Sequence, residues 1–191
     1  MLTELDAINE MLSGAGLAPV ASLDVQHPAV KQAQLRLDKV SLSVQSKGAW
    51  YNTSVVTLVP DVNTGNMLVP QNAVYINPVG VHGRRYTERG RKVYDLQERT
   101  FNIPISLKCK IVERLAFELL PIQARDYIVA RAVYEFFVSR GGMQPKLNEF
   151  KEQMYNAQVE YRKEDARHSE WKHGTHRRHG PRNVNRHDQW D

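Results

Sequence analysis

Phe101-Asn102-Ile103-Pro104-Ile105-Ser106-Leu107-Lys108-Cys109-Lys110-Ile111 alternates apolar side chains with polar ones or proline along its whole length. A period of two places Phe101, Ile103, Ile105, Leu107, Cys109 and Ile111 on one buried strand face and leaves the other face wet. Pro104 has no N–H to give to a ladder, so an edge position or a bulge is expected there.

The residues upstream have the same texture. Trp50 to Val59 is rich in β-branched and aromatic residues and is bounded by Pro60. Asp61-Val62-Asn63-Thr64-Gly65-Asn66 has turn chemistry. Met67 to Ile76 reads as another strand, weakened by Pro70. Asn77-Pro78 and Gly80 break the chain again, and Arg89-Gly90-Arg91 reads as a hairpin tip leading into Lys92 to Leu96.

Helical periodicity brackets this β region on both sides. Thr3 can cap a short first helix, with Asp6 closing a weak capping box and Leu5, Ile8 and Leu12 on one face. Ser13-Gly14-Ala15-Gly16 ends it. From about Pro28 to Lys47, Val30, Ala33, Leu37, Val40 and Val44 form one apolar stripe, with Gly48 just past the end. Downstream, Pro121 opens a helix to about Arg140, whose face holds Ile128, Val129, Ala132, Val133, Phe136 and Phe137; Gly141-Gly142 stops it. A last helix is expected from about Pro145 to about Arg167, with Leu147, Phe150, Met154, Ala157 and Tyr161 in one stripe. Charge replaces that stripe after Tyr161, so the helix is expected to leave the body there.

Strands and helices are segregated, which predicts an α+β fold. The expected architecture is a bundle of about four helices, from residues 1–50 and 115–170, with a β insertion over 51–114 at one end. Residues 171–191 are expected to be a flexible, extended basic tail.

Composition agrees with a folded chain of one domain or slightly more. Of 191 residues, 41% are apolar before glycine is counted. No stretch is long and apolar enough to span a membrane, and the acidic first ten residues do not read as a signal peptide, so a cytosolic origin is expected. The single cysteine, Cys109, excludes an internal disulfide and a cysteine-cluster metal site, and its place in the alternation makes it a core residue. The net charge of +5 is uneven. Residues 171–191 hold five bases and two acids, leaving 21 bases and 19 acids for the rest. That distribution points to an interaction tail rather than a broad nucleic-acid-binding face.

Two basic clusters are the candidate interaction sites. In the tail, His173, His176 and His179 are spaced by three, near His168 and His187. Convergent imidazoles can hold a metal. Here Gly174, Gly180 and Pro181 oppose a helix and no carboxylate or cysteine completes a ligand set, so no metal site is assigned. The segment reads instead as a tail that docks on an acidic protein surface, or else binds DNA or only solubilises the chain, through Lys172, Arg177, Arg178, Arg182 and Arg186, with Trp171 and Trp190 as stacking or anchoring groups. The second cluster, His82, Arg84, Arg85, Arg89, Arg91 and Lys92, reads as a solvated hairpin or a partner-facing loop. There is no GxGxxG, GxxxxGK[ST], GxSxG or HExxH, and paired acids such as Glu113 with Glu118 or Glu164 with Asp165 read as solvated faces. Neither an enzyme nor a cofactor is expected. The alternatives are a nucleic-acid-binding protein with a basic C-terminal arm and, last, a surface-polymer hydrolase.

Several pieces, in order, resemble the tail tubular protein A family, the head-to-tail adaptor of short-tailed phages. Leu5-Asp6-Ala7-Ile8-Asn9-Glu10-Met11-Leu12, with Gly16, Pro19-Val20 and Leu23, is similar to the family's opening helix and loop. Gln45-Ser46-Lys47-Gly48-Ala49-Trp50 resembles its Gln-x-x-Gly-Trp exit, with Ala49 as an extra residue. Leu58-Val59-Pro60-Asp61, Gly65 and Pro70, then Arg89-Gly90 and Val93-Tyr94-Asp95, resemble the following strands and hairpin. Leu119-Leu120-Pro121, Tyr127-Ile128 and Ala130-Arg131-Ala132 resemble the entry to its third helix. The segment after Trp171 departs from the family's pattern.

The resemblance implies a structural virion protein of the tail, assembled in the host cytoplasm: a gatekeeper ring of twelve subunits between the portal and the tail nozzle. Such a ring retains packaged DNA and forms part of its ejection channel. Trp171 to Arg186 are then candidates for portal docking, and His82 to Lys92 for a nozzle-facing loop. Removing 171–191 is expected to spare folding and weaken portal docking. Charge reversal at Arg84 and Arg85 is expected to impair nozzle attachment alone.

Overall fold

The computed structural model of this chain describes residues 2–80 and 85–174. Among these residues four α-helices, five strands and a short 3-10 helix (Phe117–Leu119) are arranged as α+β, α-helices first and last, strands between. The helices are α1 (Glu4–Gly14), α2 (Pro28–Gln45), α3 (Ile122–Ser139) and α4 (Gln144–Gly174). The strands are β1 (Thr53–Leu58), β2 (Ala73–Pro78), β3 (Tyr86–Arg89), β4 (Lys92–Asp95) and β5 (Leu107–Glu113).

The helix starts follow their local chemistry. Thr3 accepts a hydrogen bond from the Asp6 amide, and the Asp6 carboxylate accepts one from the Thr3 amide at 2.9 Å, completing the capping box. The α2 apolar stripe lies buried, and Gly48 follows it at φ +72°. A Cβ at Gly48 would meet Val112 Cγ2 at 2.8 Å, so both conformation and space require glycine. The helical core joins Ile8, Met11 and Leu12 of α1, Val30, Leu37 and Val44 of α2, and Ile128, Phe136 and Phe137 of α3, with Phe150 of α4 over it. Burying each large side chain contributes roughly 1.5–3 kcal/mol.

The β region has a core of its own: Met67, Val69, Ala73, Tyr86, Val93, Ile103, Leu107, Cys109 and Ile111. A three-stranded antiparallel sheet runs β1-β5-β2, and β3 and β4 form a separate hairpin. The long alternation is a strand only from Leu107. This corrects the expectation of a strand from Phe101 with Pro104 at an edge or bulge. β5 is the central strand and needs its N–H groups for two neighbours, so the strand begins after the proline. Ile103 stays buried, whereas Phe101 and Ile105 are exposed. The expected strand at Met67 to Ile76 is likewise divided. Asn66 and Leu68 make isolated bridges, Pro70 falls in the break, and β2 starts at Ala73.

Two buried amides close the joint between helices and strands. The chain enters the β region after α2 and leaves it after β5. Gln45, fully buried, accepts from the Leu115 amide at 2.8 Å and donates to the Leu115 carbonyl and to Ser41 Oγ. Asn52 donates to the carbonyls of Gln45 and Glu113, each at 2.9 Å, and accepts from the Ala49 amide at 2.8 Å. Entry and exit are thereby bonded to each other.

Asn52→Ala would remove three buried hydrogen bonds, leaving the Ala49 amide without its side-chain partner while the Gln45 carbonyl keeps only its bond from the Gly48 amide, a cost of about 3 kcal/mol. Urea unfolding should show that loss. A change below about 1 kcal/mol would mean that water replaces the side chain at the joint.

Candidate interaction surfaces

Of the hairpin cluster, His82 and Arg84 lie outside the described residues. The other four basic residues are placed, and two of them are committed to the fold. Arg85 forms an ion pair with Asp95 at 2.6 Å and a looser one with Glu98 at 3.4 Å. Asp95 is 3% exposed and also accepts from the Gln97 and Glu98 amides. Arg91 sits at φ +63° beside Gly90 at φ +57°, the pair of positive φ angles that a two-residue type I′ hairpin demands. A non-glycine residue is strained there. Its guanidinium offsets the strain by donating to the carbonyls of Pro70 at 2.7 Å and Ala73 at 2.9 Å. Arg89 lies over the Tyr94 ring at 4.1 Å and is exposed, and the Lys92 ammonium lies 5.9 Å from the Phe101 ring. Arg89, exposed, and Lys92, half-buried, are therefore the cations of the cluster without a hydrogen bond or ion pair into the fold among the described residues.

α4 is longer than its apolar stripe. Trp171, Lys172 and His173 lie on its helical backbone, which runs to Gly174, past both the expected end near Arg167 and the expected start of the tail. His176, Arg177, Arg178, His179, Arg182 and Arg186 lie outside the described residues. Nor does the helix leave the body at Tyr161. Tyr161 stacks on Tyr127 at 5.5 Å, Asp165 accepts from the Trp50 amide at 3.0 Å, and His168 stacks on the Trp50 indole at 3.7 Å. Asp165 therefore ties the helix to the body, and Glu164, which bonds Arg167 and His168 of its own helix, supports the His168 ring that stacks on Trp50, so the two acids are not simply a solvated face. Burial raises the titration of the Tyr51 and Tyr161 hydroxyls beside this contact.

A cleft of about 360 Å³ lies at the exit of β5, lined by Glu4, Leu37, Asp38, Arg114, Phe117 and Glu118. Arg114 and Asp38 pair across it. Partial burial, then the charges of Glu118 and Asp38, push the Glu4 carboxyl upward. Among the described residues no group of three or more His, Cys, Asp or Glu could hold a metal ion. Cys109 is fully buried in the β core, where burial raises its thiol.

The pairing of Arg85 with Asp95 has a pH signature. The Arg85 hydrogen bond holds the Asp95 carboxyl below its ordinary value of 3.8. A depressed folded value means that this contribution is complete above the unfolded value and is lost as pH falls through the folded one. Asp95→Asn should flatten the fall in stability below about pH 4, measured by thermal melts across that range. An unchanged acid slope would contradict the pairing. Arg85→Glu sets a carboxylate against Asp95 and should lower the melting temperature at neutral pH, so charge reversal at Arg84 and Arg85 reports on folding as well as docking.

The chain matches the family described as tail tubular protein over residues 5–171, from α1 almost to the end of α4. It is 30% identical over 127 residues to Tail tubular protein A of Klebsiella phage KP34, covering 66% of this chain and 67% of that protein. The match takes in the helical body, the joint and the β region together, and the chain belongs to the tail tubular proteins, structural proteins of the phage tail.

Proposed function

We propose that this chain is the adaptor subunit of the tail: copies of it form a ring, twelve by family resemblance, between the portal and the nozzle. The ring gates packaged DNA and forms part of its ejection channel. Residues 1–50 and 115–170 act as the body, 51–114 as a β insertion, and 171–191 as a basic tail.

The observation that supports this reading is the division of labour around one rigid joint. Gln45 and Asn52 bind the helical body to a β region with a separate core. α4 has 31 residues against 18 for α3, so it is about 46 Å long beside about 27 Å. An adaptor needs a body to meet its neighbours and elements that reach along the axis in each direction. The end of α4 with residues 171–191 is the portal-docking candidate. Arg89 and Lys92 on the hairpin face are the nozzle-facing candidates.

The test is sedimentation of the purified chain with portal rings of the same phage. The full chain should co-sediment as a stoichiometric complex, and the chain lacking 171–191 should stay folded yet bind at least tenfold more weakly. Equal binding by the truncated chain would remove the tail from docking. A chain that ignores portal rings and shifts on duplex DNA, with steep salt dependence, would instead establish a basic nucleic-acid-binding arm.

A further inference from the structure

Two uncovered faces of the helical body carry opposite charge. On α2, Lys31, Leu35, Lys39 and Leu42 recur at steps of four, four and three, which makes one stripe opposite the buried Val30, Ala33, Leu37 and Val40. Leu35 is 56% exposed and Leu42 38%. Lys39 has no ion-pair partner among the described residues, and Lys31 bonds the neutral amide of Gln26. A hollow of about 260 Å³ lies beside the stripe, between Leu35, Lys39 and Phe136.

α3 meets α2 through Arg131 and Glu135, and meets α4 along another side through Tyr127 and Phe137. The α3–α4 groove holds about 490 Å³ and is lined by Asp126, Asn156, Ala157, Val159, Glu160 and Lys163; Lys163 already pairs with Glu160 at 2.6 Å, so Asp126 is the groove carboxylate without an ion pair among the described residues. Glu10 of α1 is near Asp126. Neither Glu10 nor Asp126 forms an ion pair among the described residues. Burial raises both carboxyls, and the charge of Asp126 adds to the rise at Glu10. A cation arriving from outside would relieve both.

We infer that the α2 stripe of one copy seats in the α3–α4 groove of the next copy, with Lys39 and Lys31 meeting Asp126 and Glu10, the carboxylates there that Lys163 does not pair, and with Leu35 and Leu42 covering Ala157 and Val159. This inference rests on the ring reading above. A two-fold contact through either face would set lysines against lysines or carboxylates against carboxylates, which repel. Opposite charges on different sides of one subunit favour a head-to-tail contact, the kind that closes into a ring. The paired leucines supply the apolar area that the charges alone lack.

Disulfide trapping in assembled particles tests the geometry. The native Cys109 is buried, so background cross-linking is low. Particles carrying Leu35→Cys with Asn156→Cys, or Leu42→Cys with Asn156→Cys, are oxidised and run without reductant. One of the two pairs should give a ladder of covalent oligomers, and each single-cysteine chain should give none. Cross-linking by a lone Leu35→Cys or Leu42→Cys would show a two-fold contact and overturn the inference. Particles that show rings by electron microscopy but no ladder from either pair would overturn it while leaving the ring reading intact. Particles with no ring at this position would overturn both.

Charge exchange gives an independent reading. Lys39→Glu and Asp126→Lys should each reduce incorporation at least tenfold with unchanged melting temperatures, and the double variant should recover it. Failure of the double variant to recover, with all chains folded, would separate Lys39 from Asp126.

Discussion

The placement of the β region against the helical body depends on the pair of buried amides at the joint. The β region is joined to the helical body by two chain crossings, and a region on two strands of chain could swing. Gln45 and Asn52 remove that freedom by bonding entry to exit. Every polar side-chain atom of these two amides finds a partner among Ser41, Gln45, Ala49, Glu113 and Leu115, so the desolvation that makes lone buried amides costly does not arise for them. Gly48 lets the chain turn against Val112 between the two amides. Two residues later, Trp50 carries the same joint out to α4 through Asp165 and His168. One eight-residue stretch, Gln45 to Asn52, thus fixes the body, the β region and the long helix relative to one another.

That stretch was visible in the sequence as Gln45, Gly48 and Trp50, but only as a pattern. The helices were legible for a plain reason: their apolar positions repeat locally, and caps such as Thr3 with Asp6 act within four residues. The strands were legible as a region and not as boundaries. Alternation from Phe101 to Ile111 does not reveal that β5 must serve two neighbours, which is what excludes Pro104 from it. The path of α4 was hidden for a different reason. After Tyr161 its residues are charged or polar, and charge on a helix suggests solvent. The partner that holds Asp165 and His168 is Trp50, more than a hundred residues away, and no local period encodes such a contact.

The basic hairpin shows the same limit at the level of single side chains. Counted in sequence, Arg85, Arg89, Arg91 and Lys92 are equivalent charges. In the fold Arg85 neutralises a buried carboxylate and Arg91 supports its own strained backbone, whereas Arg89 and Lys92 lie over aromatic rings at the surface. A surface that recruits a partner must be read after such internal commitments are subtracted. Membership in the tail tubular family makes the chain a structural part of the phage tail.

The most direct measurement is electron microscopy of particles produced when the gene for this chain is disrupted. The account predicts DNA-filled heads that keep their portal and lack a nozzle, or that lose their DNA, with complete tails restored by supplying the wild-type chain. Particles that assemble a complete nozzle on the portal without this chain would contradict its place as the adaptor between them.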